Sequence, residues 1–345
     1  MPALPAPRGP VSEELLAALG GPVGDLRAPG APLGDEDLQL ALYACYELQY
    51  RGFDGVDERW ESAPALARFR AALEDQFESE LEEAVGPVGE PPAPEDMDLA
   101  LRAIVDADDA PPLSSYVERE ATPEQVREFV IHRSAYQLKE SDPHAWALPR
   151  LSGGPKAALV EILYDEYGGG DAARVHAQLF ADAMDALGLD SAYGAYLDRI
   201  PGVTLATVNL MSLLGTHRRR RGAICGHLAL FEMTSSVPNR RYADGLRRLG
   251  LGERATAFFD EHVVADAVHE NIAAVDLAGG LARDEPAVAR DVLWGARALV
   301  LVEANWARHL MGAWERGESS LRPAALGPAG RLEAHELVGS VAERA

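Results

Sequence analysis

In the stretch Asp260–Glu270, His262, Asp266 and His269 stand at offsets of 0, 4 and 7. A helix turns about 100° per residue, so these offsets fall near 0°, 40° and 340° and the three side chains share one stripe over two turns. Two imidazoles flanking a carboxylate form a donor set for iron or zinc. Polar residues that happen to align on a surface helix are the competing reading. Within that stretch both readings stay open, and partners elsewhere must decide.

The chain offers partners at separated places. Glu166 closes a helical run ahead of Gly168-Gly169-Gly170, and His176 follows ten residues after it. Glu232 interrupts the otherwise apolar Leu228-Ala229-Leu230-Phe231-Glu232-Met233. A lone carboxylate there must find a partner or raise its pKa, and a metal ion would be such a partner. Glu140 ends the helix that begins after Thr122. It reads equally as a ligand or as a last-turn glutamate beside Asp142, with His144 in the next loop as a substitute.

The order Glu…His, then Glu, then His-x3-Asp-x2-His resembles that of the haem-oxygenase-like di-iron oxidases and oxygenases, over roughly residues 120–310. The resemblance implies an all-α, haem-oxygenase-like helical bundle. It also implies a ligand set of Glu166 and His176, then Glu232, then His262, Asp266 and His269. Members that oxygenate nitrogen carry an extra carboxylate from the preceding helix, and Glu140 stands at the corresponding place. Four carboxylates (Glu140, Glu166, Glu232 and Asp266) would balance two Fe²⁺ ions, with three imidazoles completing the shell.

By the same resemblance Glu140, Glu166 and Asp266 are the catalytic carboxylates. The cofactors are two Fe ions (Fe²⁺/Fe³⁺), with O₂ as co-substrate. The expected activity is that of a non-haem di-iron oxidoreductase of secondary metabolism, N-oxygenating an amine of an amino-acid-like small molecule. Desaturation or oxidative C–C cleavage on the same site is the alternative. No reductase domain or electron-donor motif is evident, so reducing equivalents are expected from an external electron donor; a homodimer is compatible.

Other classes fit less well. A haem-binding relative uses a single early histidine and has no need of three carboxylates on three helices. A thiaminase-like relative relies on a cysteine, for which Cys225 is the candidate. A zinc hydrolase lacks its His-Glu-x-x-His pattern, and seven ligand candidates exceed one tetrahedral site. Ferritin-type proteins carry a doubled Glu-x-x-His that is missing here. A non-enzymatic helical interaction module is the reading from a different class.

The elements that must position these residues are helical. Of the 345 residues 47% are hydrophobic, with apolar positions repeating at three and four, and period-two runs are scarce. Residues 1–33 are Pro/Gly-rich and read as a mobile arm, 34–118 as an N-terminal helical extension, 119–318 as the catalytic domain and 319–345 as a tail with a helix over Leu332–Arg344. Helices are expected from Glu36 to about Arg51, Ala63 to Val85, Asp96 to Asp106, and Pro123 to Lys139 or Glu140, the last behind the capping signal Thr122-Pro123-Glu124-Gln125. Further helices are expected at Lys156–Tyr167, from Asp171 with His176 in the second turn, Thr204–Ser236 ended by Pro238, Tyr242–Leu249, Glu253–Leu277, and Pro286–Arg316. Helical phase nominates Phe129, His132, Tyr136, Thr234 and Ser235 as pocket lining. Arg240 or Arg241 could hold a substrate carboxylate, although surface roles suit both better.

Glu47 reads as a partly exposed helix carboxylate, and Arg218–Arg221 as a solvated turn between helix halves. Cys45 and Cys225 read as buried thiols. The net charge of −23 argues against nucleic acid and against an anionic membrane surface as partners. No apolar run is long enough to span a bilayer and no signal pattern opens the chain, so a cytoplasmic location is expected.

Overall fold

Strong helix formers fill the chain between Gly and Pro breaks, and the structure follows them. The computed structural model describes residues 1–30 and 33–323, and no strand occurs among the described residues. The first half holds α1 (Pro10–Leu19), α2 (Asp35–Glu47), α3 (Pro64–Val85), α4 (Met97–Asp106), α5 (Leu113–Arg119), α6 (Pro123–Gln137) and α7 (Asp142–Ala145). The second half holds α8 (Gly153–Glu166), α9 (His176–Ala186), α10 (Gly202–Thr216), α11 (Arg221–Met233), α12 (Ser236–Arg248), α13 (Glu253–Asn271), α14 (Gly280–Asp284) and α15 (Ala289–Glu315). The expected tail helix over Leu332–Arg344 lies outside the described residues.

The capping box before α6 forms: Gln125 N–H donates to Thr122 Oγ1 at 3.2 Å, and Thr122 N–H donates to Gln125 Oε1 at 2.9 Å. The centre of the bundle is the pair α11 and α15. Gly226 and Gly295 make its closeness possible. A Cβ built on Gly226 would lie 1.9 Å from the Val292 carbonyl oxygen, and one on Gly295 would lie 2.0 Å from that of Ala223. The two backbones therefore touch, which only glycine allows. α13 runs without a break into a π-helical segment, Ile272–Gly279, and then into α14. Such wider turns are frequent beside functional sites, and this one begins three residues after His269.

Several expectations are corrected. Residues 10–19 are helical rather than part of a mobile arm. Pro10 sits in the first turn, Asp37 accepts from Val11 N–H at 3.0 Å and from Ser12 N–H at 2.7 Å, and Leu15 and Leu19 are fully buried. The capping carboxylate comes from another helix, so the local composition does not announce it. The two helix halves expected within Thr204–Ser236 are α10 and α11, joined by a 3₁₀ turn at Arg218–Arg220. That turn is less solvated than expected: Arg219 and Arg220 both pair with Glu78, Arg220 also with Asp291 at 3.2 Å, and Arg221 with Glu285. Pro238 does not stop a helix. It lies in the first turn of α12, where its missing N–H costs no bond, and the break falls at Thr234–Ser235.

Candidate metal centre

Four helices and the turn after α6 carry the candidate ligands to one buried place. α6 ends at Gln137, and the chain turns through Ser141, the one non-glycine residue with a left-handed backbone among the described residues (φ 66°). This sparsely populated conformation swings Glu140 inward, and such strain concentrates at functional sites. α8 ends on Glu166, and three successive glycines follow with φ of 72°, 62° and 90°. A Cβ on Gly168 would lie 2.6 Å from the Arg174 carbonyl carbon, so the turn folds tightly back. His176 is thereby the first residue of α9, not in its second turn, and lies against Glu166. Glu232 sits in the last turn of α11, and His262, Asp266 and His269 line one face of α13.

All seven side chains are buried. Glu140, Glu166, His176 and His262 each bring a donor atom within 4.8 Å of the others, and Glu166, Glu232 and His269 form a second such group. Glu166 belongs to both. Its Oε2 lies 3.1 Å from His176 Nδ1, and its Oε1 lies 3.9 Å from His269 Nδ1 on the other side. Glu140 Oε1 is 3.5 Å from His262 Nε2, and Glu232 Oε2 is 3.5 Å from His269 Nδ1. Asp266 completes neither group but borders the second, with Oδ1 3.9 Å from His269 Nδ1.

Neighbours orient the donors. His262 Nδ1 donates to the Phe258 carbonyl at 2.7 Å, leaving Nε2 to face Glu140. His269 Nε2 donates to Asp165 Oδ2 at 3.1 Å, leaving Nδ1 to face the carboxylates. A carbonyl or carboxylate behind a ligating imidazole is a common way to fix its tautomer. Ser141 Oγ donates to Glu166 Oε2 at 3.1 Å.

The electrostatics call for a cation. Burial raises Glu232 to about 8, with Asp266 and Glu166 adding to the rise. Burial likewise raises Glu140 and Asp266. Burial also opposes ionisation of Glu166, but the imidazoles of His176, His262 and His269 outweigh it and hold that carboxyl at about 2. Burial disfavours charge on His262 and His269, yet Glu140 raises the first well above its usual value and Glu232 raises the second to about 9. Protons thus occupy lone pairs that a cation would take.

Glu140 Oε2, His176 Nδ1, Asp266 Oδ2 and His269 Nδ1 are buried without a hydrogen-bond partner among the described residues. Each such atom costs roughly 1–3 kcal/mol if left bare. Oxygen and imidazole donors in two groups with a shared carboxylate suit divalent iron. The residues present therefore fit the metal.

A cavity of about 340 Å³ abuts this centre, sharing Glu140 and His262 with it. Phe129, Thr234 and Ser235 line it as expected, whereas His132 and Tyr136 do not. His132 is held between Thr204 Oγ1 at 2.7 Å and Ser320 Oγ at 3.0 Å, and the Tyr136 hydroxyl accepts from Ser141 N–H at 3.4 Å. Neither Arg240 nor Arg241 reaches the cavity. Its charged wall is a pair the sequence reading missed: Arg133 Nη1 and Nη2 donate to Glu303 Oε1 and Oε2 at 2.9 and 2.7 Å. The Arg133 guanidinium lies 3.9 Å from the centroid of the Trp306 ring. Arg133 precedes Glu140 by seven residues, a helical face that pointed to it; Glu303, on α15, had no such signal.

His144 is not a substitute for Glu140, since its Nε2 is 3.2 Å from His227 Nδ1 in a buried pair. The Cys225 thiol is buried, and burial raises its pKa beyond any nucleophilic role.

A family model described as iron-containing redox enzyme matches residues 127–304, just over half of the chain. No curated protein matches it.

Proposed function

The chain belongs to the iron-containing redox enzyme family, and from that premise we propose that it is an O₂-dependent, non-haem di-iron oxygenase that N-oxygenates an amine of an amino-acid-like small molecule. The observation that carries the di-iron reading is Glu166, whose two oxygens face two separate ligand groups. Glu140, His176 and His262 would hold one iron, and Glu232, His269 and the neighbouring Asp266 the other. Bound there, iron(II) supplies electrons to O₂.

The chain's own groups do the rest. Glu140 and His262 present the centre to the cavity, and Phe129, Phe231, Phe258 and Phe259 give that cavity an apolar wall. The Arg133–Glu303 pair supports the substrate class. A ligand with only a carboxylate would draw Arg133 from Glu303 and leave a half-buried charge unpaired, and a ligand with only an ammonium would do the reverse. A zwitterionic head satisfies both. Arg133 lies on α6 and Glu140 in the turn beyond its end, and both line the cavity, so a head group held at Arg133 leaves the amine that reaches the metal centre at the far end of a side chain. In the balanced reaction one oxygen atom of O₂ enters the new N–O bond and the other leaves as water. The two electrons and two protons this requires come from an external donor.

The test is anaerobic Fe(II) titration followed by O₂ exposure with a chemical reductant and a panel of diamino acids. The expected result is saturation at two equivalents and a product heavier by one oxygen with an N–O bond, formed from the diamino acids and not from their decarboxylated amines. No binding near two equivalents would sink the di-iron reading. A product lighter by two hydrogens would move the chemistry to carbon.

A further inference from the structure

Beside the inward-turned Glu140 stands a residue that the chemistry above does not use. Lys139 is buried to 1% of its side chain, and its Nζ donates to Glu47 Oε2 at 2.9 Å; Glu47 is wholly buried. Sequence alone made Glu47 a partly exposed carboxylate, because its partner lies 92 residues away. The ammonium also lies 4.8 Å from the Tyr43 ring centroid and 4.4 Å from that of Tyr50, a cation–π enclosure on two sides. Tyr193 Oη donates to Glu47 at 2.7 Å. One residue earlier in the turn, the Leu138 carbonyl accepts from Arg51 Nη2 at 3.0 Å. Residues 138 and 139 are thus gripped by α2 and the residues just after it, while Glu140 points the other way into the metal centre.

We propose that this grip is a positioning device: the Lys139–Glu47 pair, with Arg51, holds the strained turn that delivers Glu140 to its iron. The proposal rests on the di-iron reading and adds a role for α2, which lies before the span matched by the family model. A buried ion pair with one charge removed is costly, and replacing both by neutral groups of similar size is often near neutral for folding. The pair is therefore an expensive way to gain stability and an effective way to fix one conformation. Its release lets Ser141 leave the left-handed region, and Glu140 follows. The site built on Glu232 and His269 stands on α11 and α13 and meets this turn only through the Ser141 Oγ–Glu166 Oε2 bond, on the oxygen that faces His176, so it depends on the turn less.

The test is a titration of the full chain with Fe(II) under anaerobic conditions, in competition with a chelator so that two affinities are resolved. Lys139→Met combined with Glu47→Gln removes both charges and keeps an acceptor for Tyr193. It is expected to weaken one site at least tenfold, reproduce the titration of Glu140→Ala, and change the other site far less. Phe69→Leu, in the core of α3, is expected to lower the melting temperature without altering either affinity. Arg51→Met changes an exposed residue and is expected to weaken the same site to a smaller degree, which keeps the question answerable if the double variant does not fold. Two unchanged affinities in the folded variants, or parallel loss at both sites as the protein destabilises, would overturn the proposal. Wild-type protein that takes up no iron would instead overturn the reading it rests on.

Discussion

At the scale of single residues, the seven candidate ligands are not equivalent. Glu166 faces both groups, and its carboxyl is held low, near 2, because three imidazoles outweigh its burial. Glu232 faces one group, and burial beside Asp266 and Glu166 raises it to about 8. Removing a shared ligand should abolish both sites, and removing a terminal ligand should abolish one. Glu166→Ala is therefore expected to retain less than a tenth of the wild-type iron, and Glu232→Ala about half, as measured by metal analysis after anaerobic loading and desalting. The metal-free proteins should order differently in stability. Glu232→Ala relieves a crowded carboxylate and should melt no lower than wild type, while Glu166→Ala strips Ser141 Oγ of its acceptor and His176 of the carboxylate charge beside it and should melt lower. Equal iron content in the two variants would remove Glu166 from its shared role.

Elements place these residues through backbone contact as much as through apolar burial. α11 brings Glu232 to the centre only because Gly226 lets it lie against α15. With a Cβ at that position 1.9 Å from the Val292 carbonyl oxygen, Gly226→Ala must push the helices apart. The expected cost is about 3 kcal/mol or more, at the upper end of overpacking, read by chemical denaturation, and iron uptake at the Glu232 site should fall with it. A loss below about 1 kcal/mol, the ordinary helix-propensity range, would mean the helices separate freely. Much of this architecture was legible in the sequence where the signal is local. Thr122-Pro123-Glu124-Gln125 announced α6, the triple glycine announced the turn before His176, and the spacing of His262, Asp266 and His269 put them on one face. What could not be read depends on partners far along the chain. Asp37 caps α1, Lys139 buries Glu47, and Glu303 turns Arg133 from a helix-face residue into a cavity wall. The break at Thr234–Ser235 was misplaced onto Pro238 because a proline in the first turn of a helix looks, in sequence, like one that ends the helix before it.

For the whole molecule, the net charge of −23 includes four carboxylates gathered in the interior at the candidate metal centre, while others are stitched to arginines in pairs such as Arg220 with Asp291. Without metal, the fold holds protons there that the unfolded chain would release. Glu232, at about 8 in the fold, and His269, at about 9, both lie above their ordinary values of 4.5 and 6.5. A raised pKa contributes stability that is full below the unfolded value and is lost as pH rises through the folded one. The iron-free protein should therefore lose stability between pH 6.5 and 9. This window lies above the range where burial makes His132, His144 and His227 titrate, which would work in the opposite sense. The expected fall is roughly 2–5 °C in melting temperature, for a net change of 1–2 kcal/mol. Iron reverses the sign, because it binds the deprotonated donors and binds them more tightly as pH rises. Melting curves of the iron-free and Fe(II)-loaded protein, taken anaerobically across that window, should diverge as pH increases, and Glu232→Gln should flatten the iron-free curve. Parallel curves would show that protons and iron do not compete for these atoms.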